Sequence, residues 1–300
     1  PWYYGTKSFP HPLSGLSFEK EGGAGNYSSY QFFEGLIWTS LARDINEWRR
    51  NEMHLPRVPL NMAYANPIAD NNVPFSAMWS PAFVPKPDDW PEQVRVVGTF
   101  CQDKKKTAGG VDEEKFADLI EWFKNGPKPV FIGFGSMVIK DTSRLEQVIM
   151  EAARASNTRV VVQSSWSKMD VSSEPLCHNV GPVAHDWLLP QCCAVVHHGG
   201  AGTTAAGLRY GLPNFICPFF GDQFMWGAMV YRAGVGPLPC PVGDLTAEVL
   251  TDNLKLLTSE ETKKKAETLS YQMGLEDGVL GGLDHFLSDL PKDSMLCDVR

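Results

Sequence analysis

The run Val195-Val196-His197-His198-Gly199-Gly200-Ala201-Gly202-Thr203-Thr204-Ala205-Ala206-Gly207 leaves the chain few ways to fold. It reads as a short buried strand, a turn of small residues and the opening of a helix. A strand that passes through glycines directly into a helix is half of a βαβ unit, and the same alternation runs on from Val94. The pattern predicts strands at Val94–Val97, Val130–Phe134, Arg159–Gln163, Asn179–Val183, Val195–His198 and Asn214–Pro218. It predicts helices at Asp112–Asn125, Ser143–Ala155, Thr203–Tyr210 and Asp222–Ala233, and near 246–257, 259–273 and 278–288. Val130–Phe134 is apolar throughout, as a strand covered on both faces of a parallel sheet must be. The fold class is therefore α/β, a doubly wound parallel sheet that binds ligands beyond the C-terminal ends of its strands.

The chemistry of the glycine turn suits an anion. The first N–H groups of a helix have no partner within the helix, and the macrodipole favours negative charge there. Glycines let a phosphate approach the backbone closely. Ala201, Gly202 and Thr203 would supply the N–H groups, Thr203 and Thr204 hydroxyls, and His198 a ring nitrogen. His197 points to the other face of the strand and reads as structural. One βα unit later comes Pro218-Phe219-Phe220-Gly221-Asp222-Gln223, where a carboxylate beside an amide can grip the hydroxyls of a sugar. Asp222 is also a good helix N-cap, and both roles can hold through different atoms. Ser136, closing Gly133-Phe134-Gly135-Ser136, is a second point where backbone N–H groups could meet phosphate. A phosphate cradle next to a polyol clamp predicts a nucleotide-sugar site. The dinucleotide spacing G-x-G-x-x-G with its later acid is absent from the sequence, as is the phosphate loop of nucleoside triphosphatases. The adjacent pairs Cys192-Cys193 and His197-His198 do not wrap one tetrahedral ion easily, so no metal is expected.

Composition excludes other partners. With 27 Lys and Arg against 35 Asp and Glu the net charge is −8, which argues against nucleic acid. No apolar run reaches the roughly 20 residues of a membrane span. Seven cysteines, odd in number and without CxxC spacing, predict reduced thiols in a cytoplasmic protein. Three consecutive lysines, Lys104 to Lys106, read as a solvated loop.

Ahead of the alternation the chain has a different character. Gly22 to Gly25 reads as a mobile loop, and Tyr30 to Arg50 as a helix. Phe33, Leu36, Ile37, Leu41, Ile45 and Trp48 recur at helical spacing, which predicts a core-facing stripe. The prolines of 56–91, with the stiff Val84-Pro85-Lys86-Pro87, predict an extended connection. Two domains follow from this: 1–92, a smaller part with its linker, and 93–300, the ligand-binding domain, with the last helix packing back on the N-terminal part.

Residues 192–239 as a block closely resemble the donor signature of the sterol 3-beta-glucosyltransferases. The similarity extends to Phe9-Pro10-His11-Pro12-Leu13-Ser14, Trp79-Ser80-Pro81, Val84-Pro85-Lys86-Pro87, Asp89-Trp90, Ile132-Gly133-Phe134-Gly135-Ser136-Met137 and His185-Asp186-Trp187-Leu188, in family order. The resemblance implies the GT-B fold of UDP-glycosyltransferases, with a C-terminal Rossmann-like domain and a remnant of the N-terminal acceptor-side domain. It implies UDP-glucose as donor, a sterol or similar lipid as acceptor, inversion to a beta-glucoside, no metal cofactor, and transient contact with membranes. By the same resemblance the diphosphate lies on His198, Ala201, Gly202 and Thr203, with Ser136 nearby. Val183 and His185 border the uracil and ribose, and Asp222 and Gln223 bind the glucose. The catalytic base is expected in the family's opening strands, before Pro1, so no residue here is assigned that role. His11, between two prolines, reads as a turn residue. Ser165-Trp166-Ser167-Lys168 departs from the family's Gly-Trp-Gly-Gly, and Tyr3-Tyr4-Gly5 from its opening. The alternatives are a nucleotide-sugar binding module that needs a partner chain for its base and, more weakly, an enzyme that epimerises or hydrolyses UDP-sugars.

Overall fold

A computed structural model describes residues 4–18, 22–61, 67–101, 113–164 and 169–290. Lys104 to Lys106, Ser165 to Lys168, Tyr3 and Cys297 lie outside the described residues. The chain forms two compact units: one from the described residues of 1–81, 85–98 and 278–300, the other from 82–84 and 99–277. The division falls after Gly98, past the boundary expected at 92/93, and the last helix belongs to the first unit.

The first unit holds α1 (Ala24–Asn51), the single turn α2 (Pro67–Asp70), β1 (Phe75–Ala77), β2 (Val94–Val96) and, as the chain's final helix, α10 (Gly278–Ser288). β1 and β2 pair in parallel. β1, at three residues, is too short to stand out from the proline-rich 56–91, whereas β2 falls within the expected Val94–Val97 but pairs with β1 rather than joining the larger sheet. α1 starts at Ala24, so half of the expected glycine loop is helix. Its first turns are fixed by polar side chains: Asn26 Nδ2 donates to the Lys7 carbonyl (2.9 Å), and Ser29 Oγ accepts from His11 N (2.8 Å). Further along, Asn46 exchanges two hydrogen bonds with the Val58 backbone (2.7 and 2.9 Å). The buried residues of α1 are accordingly Asn26, Ser29, Tyr30, Gly35, Ala42 and Asn46. The apolar stripe does not face the core: Leu36, Ile37, Leu41 and Trp48 are exposed. Periodicity reports which residues share a face; the Asn46 clasp decides which face turns inward. His11 is a buried turn residue, its ring stacked on Phe33 and its Nδ1 accepting from Leu13 N (3.2 Å).

α10 docks on β1 and β2 through a close approach and a polar contact. A Cβ at Gly281 would lie 2.5 Å from the Val97 carbonyl oxygen. The buried His285 has Nδ1 2.7 Å from Ser76 Oγ on β1, and the Asp289 carboxylate lies 2.8 Å from its Nε2, off the line of a hydrogen bond.

The second unit runs α3 (Ala117–Lys124), β3 (Val130–Gly133), α4 (Thr142–Ser156), β4 (Val160–Gln163), β5 (Cys177–Val180), α5 (His185–Leu188), β6 (Ala194–His197), α6 (Ala201–Arg209), β7 (Asn214–Ile216), α7 (Gln223–Arg232), α8 (Ala247–Leu257) and α9 (Glu260–Gly274). Its sheet has the order β5-β4-β3-β6-β7, and every pair is parallel. β5 lies two residues before the expected Asn179–Val183. Gly181 and Pro182 end it, since proline has no N–H for the ladder. The α3 helix begins at Ala117, later than the expected Asp112, which lies outside the described residues.

Both faces of the sheet are covered. Val130, Ile132, Val160, Val162 and Val196 pack with Leu145 and Ile149 of α4 and Leu250 and Leu254 of α8. Phe131, Val161 and Val195 pack on the other face with Leu119, Leu188, Leu189 and Leu212. Full burial of each such side chain contributes about 1.5–3 kcal/mol. Asp141, Thr246 and Ser259 cap α4, α8 and α9 by accepting from backbone N–H groups.

Candidate functional site

The strand order sets where a site can form. From β3 the chain moves to β4 and β5 on one side, then crosses back to β6 and β7 on the other. The connections leaving β3 and β6 therefore diverge, and a crevice opens beyond their C-terminal ends.

The β6 exit is built around two histidines with opposite fates. His197 is fully buried. Its Nε2 pairs with Asn214 Oδ1 (2.8 Å), and its Nδ1 accepts the Gly199 N–H (3.0 Å). Asn214 Nδ2 donates to the Leu212 carbonyl (2.8 Å), so Oδ1 is left as acceptor and the ring is a neutral Nε2–H tautomer. Burial pushes its pKa down to about 3. His197 thus holds the glycine turn from below. Gly199 has φ +91°, and a Cβ there would lie 2.7 Å from Ile216 Cγ2 and 3.1 Å from Gln223 Cβ.

His198 faces the crevice. A Cβ on Gly200 would lie 2.7 Å from its Nε2, and one on Gly135, at φ +58°, 3.1 Å from its Cε1. Two glycines, one after each diverging strand, thus make room for one imidazole. Its Nδ1 is buried and lacks a hydrogen-bond partner among the described residues. Burial lowers its pKa, opposed by the Asp222 carboxylate. A buried unsatisfied nitrogen costs about 1–3 kcal/mol, which a ligand acceptor or donor would relieve.

α6 begins beside this ring. Its N-cap is Gly200, with no side-chain cap. The first helical bond is Thr204 N to the Gly200 carbonyl (2.9 Å), so the N–H groups of Ala201, Gly202 and Thr203 have no acceptor within the helix. Ala201 and Gly202 are exposed. Thr204 is not available to a ligand as the sequence suggested. It is buried, and its hydroxyl donates to the Gly200 carbonyl (2.9 Å). The arrangement is a bare helix N-terminus, a glycine turn and an imidazole on one side of a crevice, which suits a phosphate.

The β3 and β7 loops close over the same end of the sheet. Ser136 is exposed on the turn after β3. The Phe134 and Phe219 rings meet edge to face at 5.9 Å. Gln223 is buried. Its Oε1 accepts from Phe219 N (2.7 Å) and Phe220 N (3.1 Å), and its Nε2 lies 3.8 Å from Met137 Sδ. The Gln223 carbonyl therefore shapes its own loop, and its amide N–H groups are what it could offer a ligand. Asp222 stands at the N-cap of α7 without a side-chain cap bond. Its Oδ2 instead accepts from Trp226 Nε1 (2.9 Å), which orients the carboxylate and leaves Oδ1 for a hydroxyl. The sequence motifs give Trp226 no site role; its i, i+4 relation to Asp222 is the signal for it.

Ser136, His198, Ala201, Gly202, Thr203, Asp222 and Gln223 thus come to one end of the sheet. Val183 and His185 lie beyond the edge strand β5, on the loop into α5 and at its first residue. His185 is half-buried with its ring edge on Phe131 (5.6 Å), and burial lowers its pKa. Among the described residues no group of three or more His, Cys, Asp or Glu is arranged to hold a metal ion. No helix among them is long and apolar enough to cross a membrane.

Comparison with known proteins bears on this geometry. Residues 147–274 match the family described as erythromycin biosynthesis protein CIII-like, C-terminal domain. The chain is 39% identical over 293 residues to sterol 3-beta-glucosyltransferase UGT80A2 of Arabidopsis thaliana, covering 97% of this chain and 44% of that protein. It is 36% identical to UGT80B1 of the same plant (98% and 46%) and 33% identical to the Candida albicans sterol 3-beta-glucosyltransferase (97% and 19%). The chain therefore spans less than half the length of these relatives. Among solved structures, the glycosyltransferase of kitacinnamycin superposes with a TM-score of 0.66 at 15% identity, over 94% of this chain and 69% of that one. A UDP-glucose:anthocyanidin 3-O-glucosyltransferase in complex with UDP superposes at 0.52 and 16% identity, over 65% and 47%. These two likenesses concern the fold alone, which is that of GT-B glycosyltransferases.

Proposed function

For a chain similar over nearly its whole length to sterol 3-beta-glucosyltransferases and folded on the GT-B plan, we propose that it holds UDP-glucose for transfer of glucose to the 3-hydroxyl of a sterol or similar lipid. The observation that carries the reading is the crevice between β3 and β6, where the His198 ring, with its orphaned Nδ1, sits beside the uncapped start of α6. The diphosphate takes the N–H groups of Ala201, Gly202 and Thr203 and a hydrogen bond from His198. Ser136 offers a hydroxyl at the facing turn. Val183 and His185 border the nucleoside. Asp222 Oδ1 and the Gln223 amide take the glucose hydroxyls.

The chemistry is a single displacement. The acceptor oxygen attacks the anomeric carbon, the bond to the β-phosphate oxygen breaks on the opposite face, and the acceptor proton passes to a base. Inversion gives the beta-glucoside. Negative charge grows on the departing UDP, and fixed N–H dipoles aimed at it lower the barrier most where water is excluded. The helix N-terminus and His198 supply that stabilisation, so the reading needs no metal. A sterol acceptor implies transient contact with membranes, and the reading gives nucleic acid no part. The test is to incubate the protein with UDP-glucose and a 3β-hydroxysterol and to analyse the lipid extract by mass spectrometry. A steryl beta-glucoside formed with equimolar UDP is expected. Protein that binds UDP-glucose yet forms no sterol product would overturn the transfer.

A further inference from the structure

Two apolar side chains on the loops beside the crevice are not among the groups proposed to hold the donor. Phe220 is 62% exposed and Val138 is 86% exposed. Single exposed apolar residues are ordinary, but these occupy particular places. Val138 lies between Met137 and Ile139, both packed on the core, on the loop after β3. Phe220 follows Phe219, also packed on the core, two residues before Asp222. The two loops are joined beneath them, through the Phe134–Phe219 ring contact (5.9 Å) and the Met137 Sδ to Gln223 Nε2 approach (3.8 Å). The Phe220 backbone is held as well, its N–H donating to Gln223 Oε1 (3.1 Å). Loop tips ordinarily carry Gly, Asn, Asp or Ser. Here the tips carry large apolar groups on a fixed backbone, bordering a site otherwise lined with polar atoms.

We propose that Phe220 and Val138 are specificity-determining residues that pack against the apolar body of the acceptor and bring its hydroxyl to the glucose held by Asp222 and Gln223. The inference rests on the proposed transfer and adds to it the part of this unit that selects a lipid over a water-soluble alcohol. A rigid polycyclic acceptor gains most from such a rim, because apolar area leaves water without ordering a flexible chain. The polar crevice supplies orientation, and the rim supplies affinity for the acceptor alone.

The test compares wild type with Phe220→Ser, Val138→Ser and the double variant. Binding of dehydroergosterol, a fluorescent sterol delivered from cyclodextrin, is titrated with UDP present, and UDP affinity is measured separately. Removing a Phe side chain that would otherwise lose its exposed area to a ligand weakens binding by about tenfold. The double variant should lose at least that in sterol affinity and keep UDP affinity within about twofold. Unchanged sterol affinity in the double variant overturns the rim. So does a wild type that binds UDP but no sterol, which leaves the donor site standing. A wild type that binds no UDP overturns the donor reading itself. Both side chains point to solvent, so the variants should fold, and an unchanged Tm checks it.

Discussion

Acid should loosen the glycine turn through His197. In the folded chain its Nδ1 accepts the Gly199 N–H and its Nε2–H is committed to Asn214, so a second ring proton has no place to go without breaking the first contact. Burial is the largest cause of the drop to about 3 from the ordinary 6.5, and the Asn214 hydrogen bond opposes it. The folded value is lower than the unfolded one, so the unfolded chain takes the proton first. Stability from this residue is complete above about pH 6.5 and is lost as pH falls from there towards about 3. At pH 4.5 the unfolded ring is charged and the folded ring is not. Two pH units at about 1.4 kcal/mol each give a loss of roughly 2–3 kcal/mol from pH 7. Other buried histidines add to the total, so the comparison must isolate this one. Hydrogen exchange of the amides in β6 and β7 gives a local opening free energy at pH 7 and at pH 4.5, after correction for intrinsic rates. His197→Gln, which does not titrate, is expected to be less stable at pH 7 but to lose about 2 kcal/mol less on acidification. Equal losses in the two proteins would refute the reasoning.

Four further outcomes are expected. Gly200→Ala puts a methyl 2.7 Å from His198 Nε2 at a backbone conformation that alanine accepts (φ −61°), so UDP affinity should fall by tenfold or more with little change in Tm; retained affinity in calorimetry counts against the role of His198. Asp222→Ala removes the carboxylate that Trp226 Nε1 orients, and should cut the extra affinity of UDP-glucose over UDP by more than it changes the affinity for UDP itself; an unchanged glucose increment in calorimetry counts against the role of Asp222. Thr246→Ala with Ser259→Ala deletes the caps of α8 and α9, and urea unfolding followed on the second unit should report a loss of about 2 kcal/mol. Gly281→Leu drives a side chain into the Val97 carbonyl, and limited proteolysis should then cut within α10, which wild type resists.

The second unit was the more legible half of the chain. Runs such as Val130–Phe134 and Val195–His197 are buried on both faces, and nothing competes with a parallel sheet for such strands. The turn between β6 and α6 could be placed because a strand must end and a helix begin within three residues. What sequence could not supply was the partner of each side chain. Thr203 and Thr204 are equivalent as letters, yet Thr204 turns inward to the Gly200 carbonyl. Gln223 reads as a sugar ligand, yet its carbonyl is spent on the Phe219 and Phe220 amides. Such choices depend on loops that meet only after folding. In the first unit the stripe of α1 misled, because polar side chains rather than apolar area set its orientation: Asn46 on Val58 and Asn26 on Lys7. The three-residue strand β1 is hidden among prolines, whereas β2 falls within the expected Val94–Val97, and His285 carries no sequence signal of its pairing with Ser76 across 209 positions.

The crevice between β3 and β6 is the proposed nucleoside diphosphate-sugar site. Calorimetric titration of wild type and His198→Ala with UDP and with UDP-glucose tests this most directly. Wild type should bind UDP, bind UDP-glucose more tightly, and lose at least tenfold in affinity for both when the imidazole is removed. A folded wild-type protein that binds neither ligand, or a variant that binds both as wild type does, would contradict that assignment.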